Sequence, residues 1–290
     1  MTGRRFLRFA GADARPRLGL VEGSRIVELP GRDVVALLGN GRLPEPVGEV
    51  EMLDPEGLVL PEPWRLLLPL EPPEVWCAGV TYERSREARM EESRAETRDV
   101  YALVYDAERP ELFLKDAACR RTVGPGTPIG VRSDASWSVP EPELGLVLGP
   151  GGRLLGATIG NDVSSRDIEG QNPLYLPQAK VYAGACAIGP AVLVPDDWEE
   201  PFEIELRILN KEGETLFAGT TSTARMRRSF AELASFCVRD NPVPPGSVLL
   251  TGTGVVPPDE LSLEPGQTVE IRVPGIGTLV NRVARAEELL

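Results

Sequence analysis

Two glutamates and one aspartate form the first set of residues that could do chemistry. Glu141 and Glu143 are two positions apart, and alternate side chains of a strand point to the same face, so both carboxylates should project together. A Gly-Pro-Gly-Gly turn at residues 149–152 predicts a hairpin. With its turn centred there, Glu141 lies across from Gly160, and Asp162 is the diagonal neighbour on the same face.

Three converging carboxylates with no cationic neighbour would repel one another. A divalent cation removes that repulsion, and an all-oxygen, partly open site suits Mg²⁺ or Mn²⁺ better than Zn²⁺. The alternative is that an acidic segment beside prolines is a solvated edge, and the local sequence alone leaves both interpretations open.

Lys180 is one of only three lysines among 31 basic residues. It lies among apolar and aromatic residues, where burial lowers the pKa of an amine, so it is the first candidate for a general base. The alternative is a surface lysine whose stem packs on apolar neighbours. Arg166, four positions after Asp162, is a candidate for substrate binding or for a salt bridge to Asp162 or Asp167.

The chain contains no histidine, which excludes whole classes of chemistry. Ser-His-Asp and Cys-His nucleophiles, histidine-ligated zinc and histidine general bases are all ruled out. Four well-separated cysteines without a CxxC pair indicate free thiols rather than a zinc site. Any catalysis must therefore use carboxylates, lysine, arginine, hydroxyls or a metal.

The composition is that of a globular protein rich in turns. Of 290 residues, 42% are hydrophobic and 26% charged, and 30 glycines plus 28 prolines favour a β-dominated architecture over a helical bundle. The net charge of −13 opposes binding to nucleic acid or an anionic membrane. No apolar run approaches the roughly 18–20 residues that span a bilayer, so a cytoplasmic location is expected.

The pattern predicts a small N-terminal α+β domain at residues 1–70 and a β-rich catalytic domain at 71–290. The proposed boundary lies in a proline-rich connector, residues 61–74. Strands are expected at 5–10, 17–21, 25–29, 143–148, 154–159, 202–209, 215–218, 246–251, 269–273 and 278–283, with helices at 32–38 and 226–237. Residues 80–99 form a charged, helix-like segment, interpreted either as a solvated amphipathic helix or as a lid whose Arg84 or Arg86 holds a substrate carboxylate.

Several motifs together resemble the fumarylacetoacetate hydrolase superfamily. They are Thr81-Tyr82, Phe113-Leu114-Lys115, Val123-Gly124-Pro125-Gly126, Glu141-x-Glu143-Leu144, Asn161–Asp167, the Lys180 segment and Thr251-Gly252-Thr253, in family order. Pro140–Leu144 and Asn172–Gln178 are most similar to its 2-keto-3-deoxy-D-arabinonate dehydratase branch. The resemblance implies a mixed β-roll or sandwich fold.

The resemblance also implies roles for residues. Glu141, Glu143 and Asp162 would be the metal ligands, Lys180 the active-site lysine and Thr253 a substrate-binding residue. Ser85 stands where hydrolytic members carry a water-activating histidine, which favours a lyase and makes Ser85 a substrate contact. Glu111 is a candidate acid for a leaving hydroxyl, its alternative being an ordinary surface glutamate.

The implied function is a metal-dependent dehydratase that converts 2-keto-3-deoxy-D-arabinonate into 2,5-dioxopentanoate through an enolate chelated by Mg²⁺ or Mn²⁺. The same ligands would also serve acylpyruvate hydrolysis, oxaloacetate decarboxylation or tautomerisation. A third hypothesis is a β-rich binding protein without catalysis, in which the carboxylates are dispensable. The implied assembly is a homodimer or homotetramer.

Overall fold

The computed structural model describes residues 2–31, 33–40, 43–85 and 103–290. Up to residue 123 its strands are β1 (Gly3–Ala10), β2 (Arg17–Glu22), β3 (Arg25–Leu29), β4 (Gly48–Glu51), β5 (Arg65–Leu66), β6 (Glu74–Gly79), β7 (Glu111–Ala117) and β8 (Thr122–Val123). They continue with β9 (Ile129–Val131), β10 (Ser138–Val139), β11 (Pro142–Leu148), β12 (Leu154–Asp162), β13 (Ser164–Ser165) and β14 (Cys186–Pro195). The last strands are β15 (Glu203–Leu209), β16 (Thr215–Ser222), β17 (Val248–Leu250), β18 (Thr268–Val273) and β19 (Gly277–Arg285). The α-helices that lie wholly within the described residues are α1 (Val34–Asn40), α2 (Arg166–Gln171), α3 (Leu176–Lys180) and α4 (Phe230–Val238).

Two sheets dominate the described part of the chain. The larger has the order β4-β3-β2-β1-β14-β12-β11-β17-β6-β7, with β5 beside β1 and β8 beside β14. The smaller has the order β16-β15-β18-β19-β9, and β10 pairs with β13 in a short ribbon. The β-rich, mixed-sheet fold predicted from the sequence is confirmed.

Alternation along the strands decides which faces meet. In β15, Ile204, Leu206 and Ile208 are fully buried while the residues between them are charged and face outward. In β11, Leu144, Leu146 and Leu148 join the same apolar cluster as those three residues, so the two sheets pack face to face. The other face of β11 carries Glu143 and Val147, and Val147 belongs to a separate cluster. The strand therefore packs against the smaller sheet on one face and carries the Glu143 carboxylate on the other.

The N-terminal strands extend the larger sheet. β1 pairs antiparallel with β14, with Gly3 opposite Pro195 and Phe6 opposite Val192. This pairing crosses the expected boundary near residue 70, and the division into two domains stays a prediction. Helix α1 begins and ends two residues later than expected.

Two expected helices differ from the structure in extent. The helix expected over 226–237 begins at Phe230 because Ser229 caps it, its Oγ accepting a hydrogen bond from Glu232 N at 3.1 Å. Of the segment 80–99, only 80–85 is described, with a helical turn at 83–85, and the proposed lid with Arg86 lies outside the described residues.

Within the described ranges, no helix combines the length and apolar character needed to cross a membrane.

Leu146→Ala should lower the free energy of unfolding by about 2–5 kcal/mol, because a fully buried side chain leaves a cavity between the sheets. Leu216→Ala is the matched control: Leu216 is 48% exposed, and the loss should stay within about 0.5 kcal/mol. Urea unfolding measures both variants. Equal losses at the two positions would contradict the packing described.

Candidate metal centre and active site

Three carboxylates meet where β11 and β12 pair. Glu143 lies opposite Gly160, and Asp162 N donates a hydrogen bond to the Glu141 carbonyl at 3.0 Å, which places those two residues across from each other. All three side chains are at least 95% buried. Each offers one oxygen within 4.8 Å of the others, an arrangement that could hold a metal ion. The predicted convergence on one face is present in the structure.

The predicted register was wrong by two residues. Glu141 lies across from Asp162 rather than Gly160, and Gly160 pairs with Glu143. The turn at 150–152 forms a 3₁₀ segment with a left-handed Gly151 (φ 66°), and the ladder shifts between Val147 and Leu148. Because side chains alternate with a period of two, an even shift kept the three carboxylates on the same face.

Three cations lie against two of the carboxylates, Glu141 and Asp162, and limit the repulsion that the three acidic side chains would otherwise produce. Lys180 Nζ donates to Glu141 Oε2 at 3.0 Å, to Asp162 Oδ2 at 2.9 Å and to Ser164 Oγ at 2.5 Å. Arg166 contacts Glu141 Oε1 at 3.0 Å, in place of the Asp162 or Asp167 partner considered for it. Buried charges are tolerated only when they are paired in this way.

Lys115 is the third cation, and sequence reasoning gave it no role. Its buried Nζ forms an ion pair with Asp162 Oδ1 and donates to the Val163 carbonyl at 3.0 Å. Lys115, like Lys180, is one of only three lysines in the chain, and this scarcity could have identified Lys115 as a candidate site residue. Asp162 therefore has one ammonium group on each of its oxygens.

Glu143 is held differently, by the backbone. Gly252 N donates to Glu143 Oε2 at 2.6 Å. Gly252 has φ +90°, and a Cβ there would lie 2.1 Å from Thr81 Oγ1, so only glycine fits. Burial raises the pKa of the Glu143 carboxyl well above its ordinary value, and the carboxylates of Asp162 and Glu141 raise it further.

A small cavity opens beside these groups. Its walls are Ala78, Gly79, Val80, Ser85, Glu111, Phe113, Glu141, Glu143, Asp162, Glu169, Lys180, Gly252 and Thr253. Of the residues predicted from the sequence, Ser85, Glu111 and Thr253 thus join the carboxylates and Lys180. Thr253 Oγ1 accepts from Val255 N at 3.2 Å. Arg84 is exposed, and the described contact of Arg166 is to Glu141 rather than to the cavity.

Glu169 is a cavity residue that sequence reasoning missed. It is 5% exposed and lies three positions after Arg166 on α2, on the same helix face. The signal was the spacing Arg166-x-x-Glu169, which becomes informative once Arg166 is known to point inward.

The donor set fits a divalent metal. Oxygen ligands from three carboxylates, close together and buried, are what Mg²⁺ and Mn²⁺ prefer. None of the described cysteines belongs to the cluster, and no histidine exists to complete a zinc site.

Comparison with known proteins gives the family context. The family model described as fumarylacetoacetate (FAA) hydrolase C-terminal matches residues 74–284. A probable 2-keto-3-deoxyxylonate dehydratase of Haloferax volcanii is 52% identical over 217 residues, 74% of each chain. A 2-dehydro-3-deoxy-D-arabinonate dehydratase of Saccharolobus solfataricus is 40% identical over 277 residues, 93% of each chain.

Solved structures agree with these matches. The apo form of a 2-keto-3-deoxy-D-arabinonate dehydratase superposes with a TM-score of 0.86 at 36% identity, covering 97% of this chain and 99% of that one. A structure of 2-keto-3-deoxy-D-arabinonate dehydratase with magnesium and 2,5-dioxopentanoate has a TM-score of 0.85 at the same identity and coverage.

Magnesium should raise the melting temperature of the wild-type protein, because a cation bound only by the folded state stabilises it. The gain is about 2.7 kcal/mol at a hundredfold excess over Kd. Asp162→Asn should lose this gain, whereas Glu49→Gln, which changes a surface ion pair with Arg25, should keep it. A thermal-shift titration measures all three proteins. An undiminished gain in melting temperature for Asp162→Asn would show that Asp162 is not a metal ligand.

In the metal-free protein, loss of the Glu143 proton should lower the free energy of unfolding as pH rises. Its raised pKa means that the folded state holds a proton which the unfolded chain releases near the ordinary value of 4.5. Stability is therefore greatest below that value and falls as pH rises toward the raised pKa. Urea unfolding with a chelator at about pH 5 and about pH 8 should show a smaller loss for Glu143→Gln than for wild type. Equal losses would contradict the assignment.

Proposed function

The chain belongs to the fumarylacetoacetate hydrolase family, and we propose that it is a hydro-lyase that converts 2-keto-3-deoxy-D-arabinonate into 2,5-dioxopentanoate and water. One observation carries the proposal: the buried carboxylates, Lys180 and Glu111 share one cavity, on a backbone that superposes over 97% of its length with a dehydratase of this kind.

The two substrate names among the relatives are compatible with each other. D-arabinonate and D-xylonate differ only at C2 and C3. Conversion to a 2-keto-3-deoxy acid removes both stereocentres, so in the D series the two names describe one compound. The proposed substrate is therefore the same whichever relative is compared.

Glu141, Glu143 and Asp162 would hold the Mg²⁺ or Mn²⁺ ion. When bound, this ion would polarise the C2 carbonyl of the substrate and so acidify the protons on C3. Lys115 and Arg166, which do not line the cavity, would remain paired with Asp162 and Glu141 and limit the repulsion among the carboxylates.

Lys180 and Glu111 are the proposed proton-transfer groups. Lys180 Nζ would take a proton from C3, and the electron pair of that C–H bond would form the C3–C4 double bond. The C4–O bond breaks, and the hydroxyl leaves as water with a proton from Glu111. The resulting 5-hydroxy enone becomes 2,5-dioxopentanoate by moving a C5 proton to C3 and the hydroxyl proton to C4.

The remaining proposed contacts orient the substrate. Thr253 and Ser85 would donate hydrogen bonds from the cavity wall, and Arg86 stays a predicted partner of the substrate carboxylate. Arg166 was also predicted to contact the substrate, but it pairs with Glu141 and does not line the cavity, so we propose it as a counter-ion instead. The absence of histidine, with Ser85 at the position the hydrolytic members use, opposes activation of water for C–C hydrolysis. Assembly into a homodimer or homotetramer stays a prediction.

The protein should convert 2-keto-3-deoxy-D-arabinonate into 2,5-dioxopentanoate only with Mg²⁺ or Mn²⁺, and a chelator should abolish turnover. Glu111→Gln should lower kcat by about 100-fold or more, because the leaving hydroxyl loses its proton donor. Glu108→Gln, an exposed position three residues earlier, is the control and should keep wild-type turnover.

Proton NMR of the reaction mixture measures both substrate loss and the aldehyde product. Oxaloacetate and an acylpyruvate serve as comparison substrates. If the protein converts oxaloacetate or the acylpyruvate but does not convert the deoxy sugar acid at saturating metal, the dehydratase assignment is rejected. The assignment to the family would still hold.

A further inference from the structure

The four oxygens of Glu141 and Asp162 are divided among three cations. Arg166 contacts Glu141 Oε1 and Lys115 contacts Asp162 Oδ1. The other two oxygens, Glu141 Oε2 and Asp162 Oδ2, both accept from Lys180 Nζ, at 3.0 and 2.9 Å. Lys180 thus bridges two of the three carboxylates through a single positive charge.

The three cations differ in where they lie. Lys180 lines the cavity, whereas Lys115 and Arg166 do not line it and contact the other two carboxylate oxygens. The space left free in the cavity is about 10 Å³, enough for roughly one water molecule. Lys180 is therefore the one of these three cations that borders this space.

We propose that Lys180 is an exchangeable counter-ion: its ammonium group occupies the carboxylate oxygens that a divalent metal binds, and the metal displaces it. Lys115 and Arg166 are then the permanent counter-ions. This inference rests on the proposed metal site and adds to Lys180 a role in setting metal affinity.

Charge and geometry support the exchange. An ammonium group and a dication cannot both contact Glu141 Oε2 and Asp162 Oδ2 closely, because they repel each other strongly at such separations in a buried site. Without either cation, the buried carboxylates would be uncompensated, which is costly. The lysine side chain is a flexible four-carbon stem with a point charge at its end, so it can withdraw without refolding of α3.

The exchange would also link metal loading to catalysis. While Lys180 Nζ donates to Glu141, Asp162 and Ser164, its protons are engaged in three hydrogen bonds. Once displaced, Nζ would lie at the cavity wall, and the neutral amine left after it releases one proton to solvent can take the C3 proton. The same side chain would then serve as a counter-ion without metal and as the base once the metal is bound.

Isothermal titration with MgCl₂ tests the proposal without measuring activity. Lys180→Met keeps the length of the side chain and removes the competing charge, so it should bind Mg²⁺ at least about tenfold more tightly than wild type, a difference of about 1.4 kcal/mol. Lys180→Arg keeps the charge and should bind no more tightly than wild type. The metal-free Lys180→Met protein should also melt at a lower temperature and recover with Mg²⁺.

Lys115→Met is the matched control, because it removes one positive charge from the same aspartate at a residue that does not line the cavity. A tenfold gain specific to Lys180→Met supports exchange, whereas an equal gain in both variants reflects general loss of positive charge and overturns it. Unchanged or weaker binding by a folded Lys180→Met protein also overturns it. If Lys180→Met does not fold, Lys180→Gln is titrated in its place.

A crystal structure of the wild-type protein with Mg²⁺ gives an independent measurement. Lys180 Nζ should no longer lie within 3.5 Å of both Glu141 Oε2 and Asp162 Oδ2, and its remaining there would reject the exchange. If wild type neither binds Mg²⁺ nor forms product, the proposed function fails. If wild type does both and only the Lys180 results disagree, the exchange alone fails.

Discussion

The balance of buried charge between β11 and β12 is the constraint on which the rest of the site depends. Six residues with ionisable side chains lie together with at most 4% exposure: Glu141, Glu143, Asp162, Lys115, Arg166 and Lys180. Such a group is stable only when each charge has its partners in place. The strands and short helices that carry these residues must therefore be placed accurately, and the apolar cluster on the other face of β11 holds that strand in position.

The sequence predicted the carboxylate face because that face depends only on alternation. Glu141 and Glu143 are two apart, and an even error in register does not change which side of the sheet Asp162 occupies. The exact pairing could not be predicted, since it depends on a left-handed Gly151 and on a ladder shift that no spacing rule encodes. The β-rich fold could also be predicted, because the density of turn residues and the short alternating runs are local features of the sequence.

The cations were harder to predict because they reach the site through long-range pairing. Lys115 lies on β7, at one end of the larger sheet, and only the order of the strands and the path of the chain bring it to Asp162. The helix that presents Arg166 and Glu169 is six residues long, too short for a periodic pattern to reveal which face is buried. Lys180 was identified by its scarcity and its apolar neighbours, but its bridging contacts are visible only in three dimensions.

The pairing of β1 with β14 has a consequence for biosynthesis. Gly3 lies opposite Pro195, so this part of β1 has no partner along that edge until β14 has been synthesised. Contacts of such large sequence separation form slowly, and an unpaired edge strand is a site for association between nascent chains. The central strand that receives β1 also borders β12, which carries Asp162. Completion of the ligand cluster is therefore expected late in folding, after the two distant halves of the sheet have met.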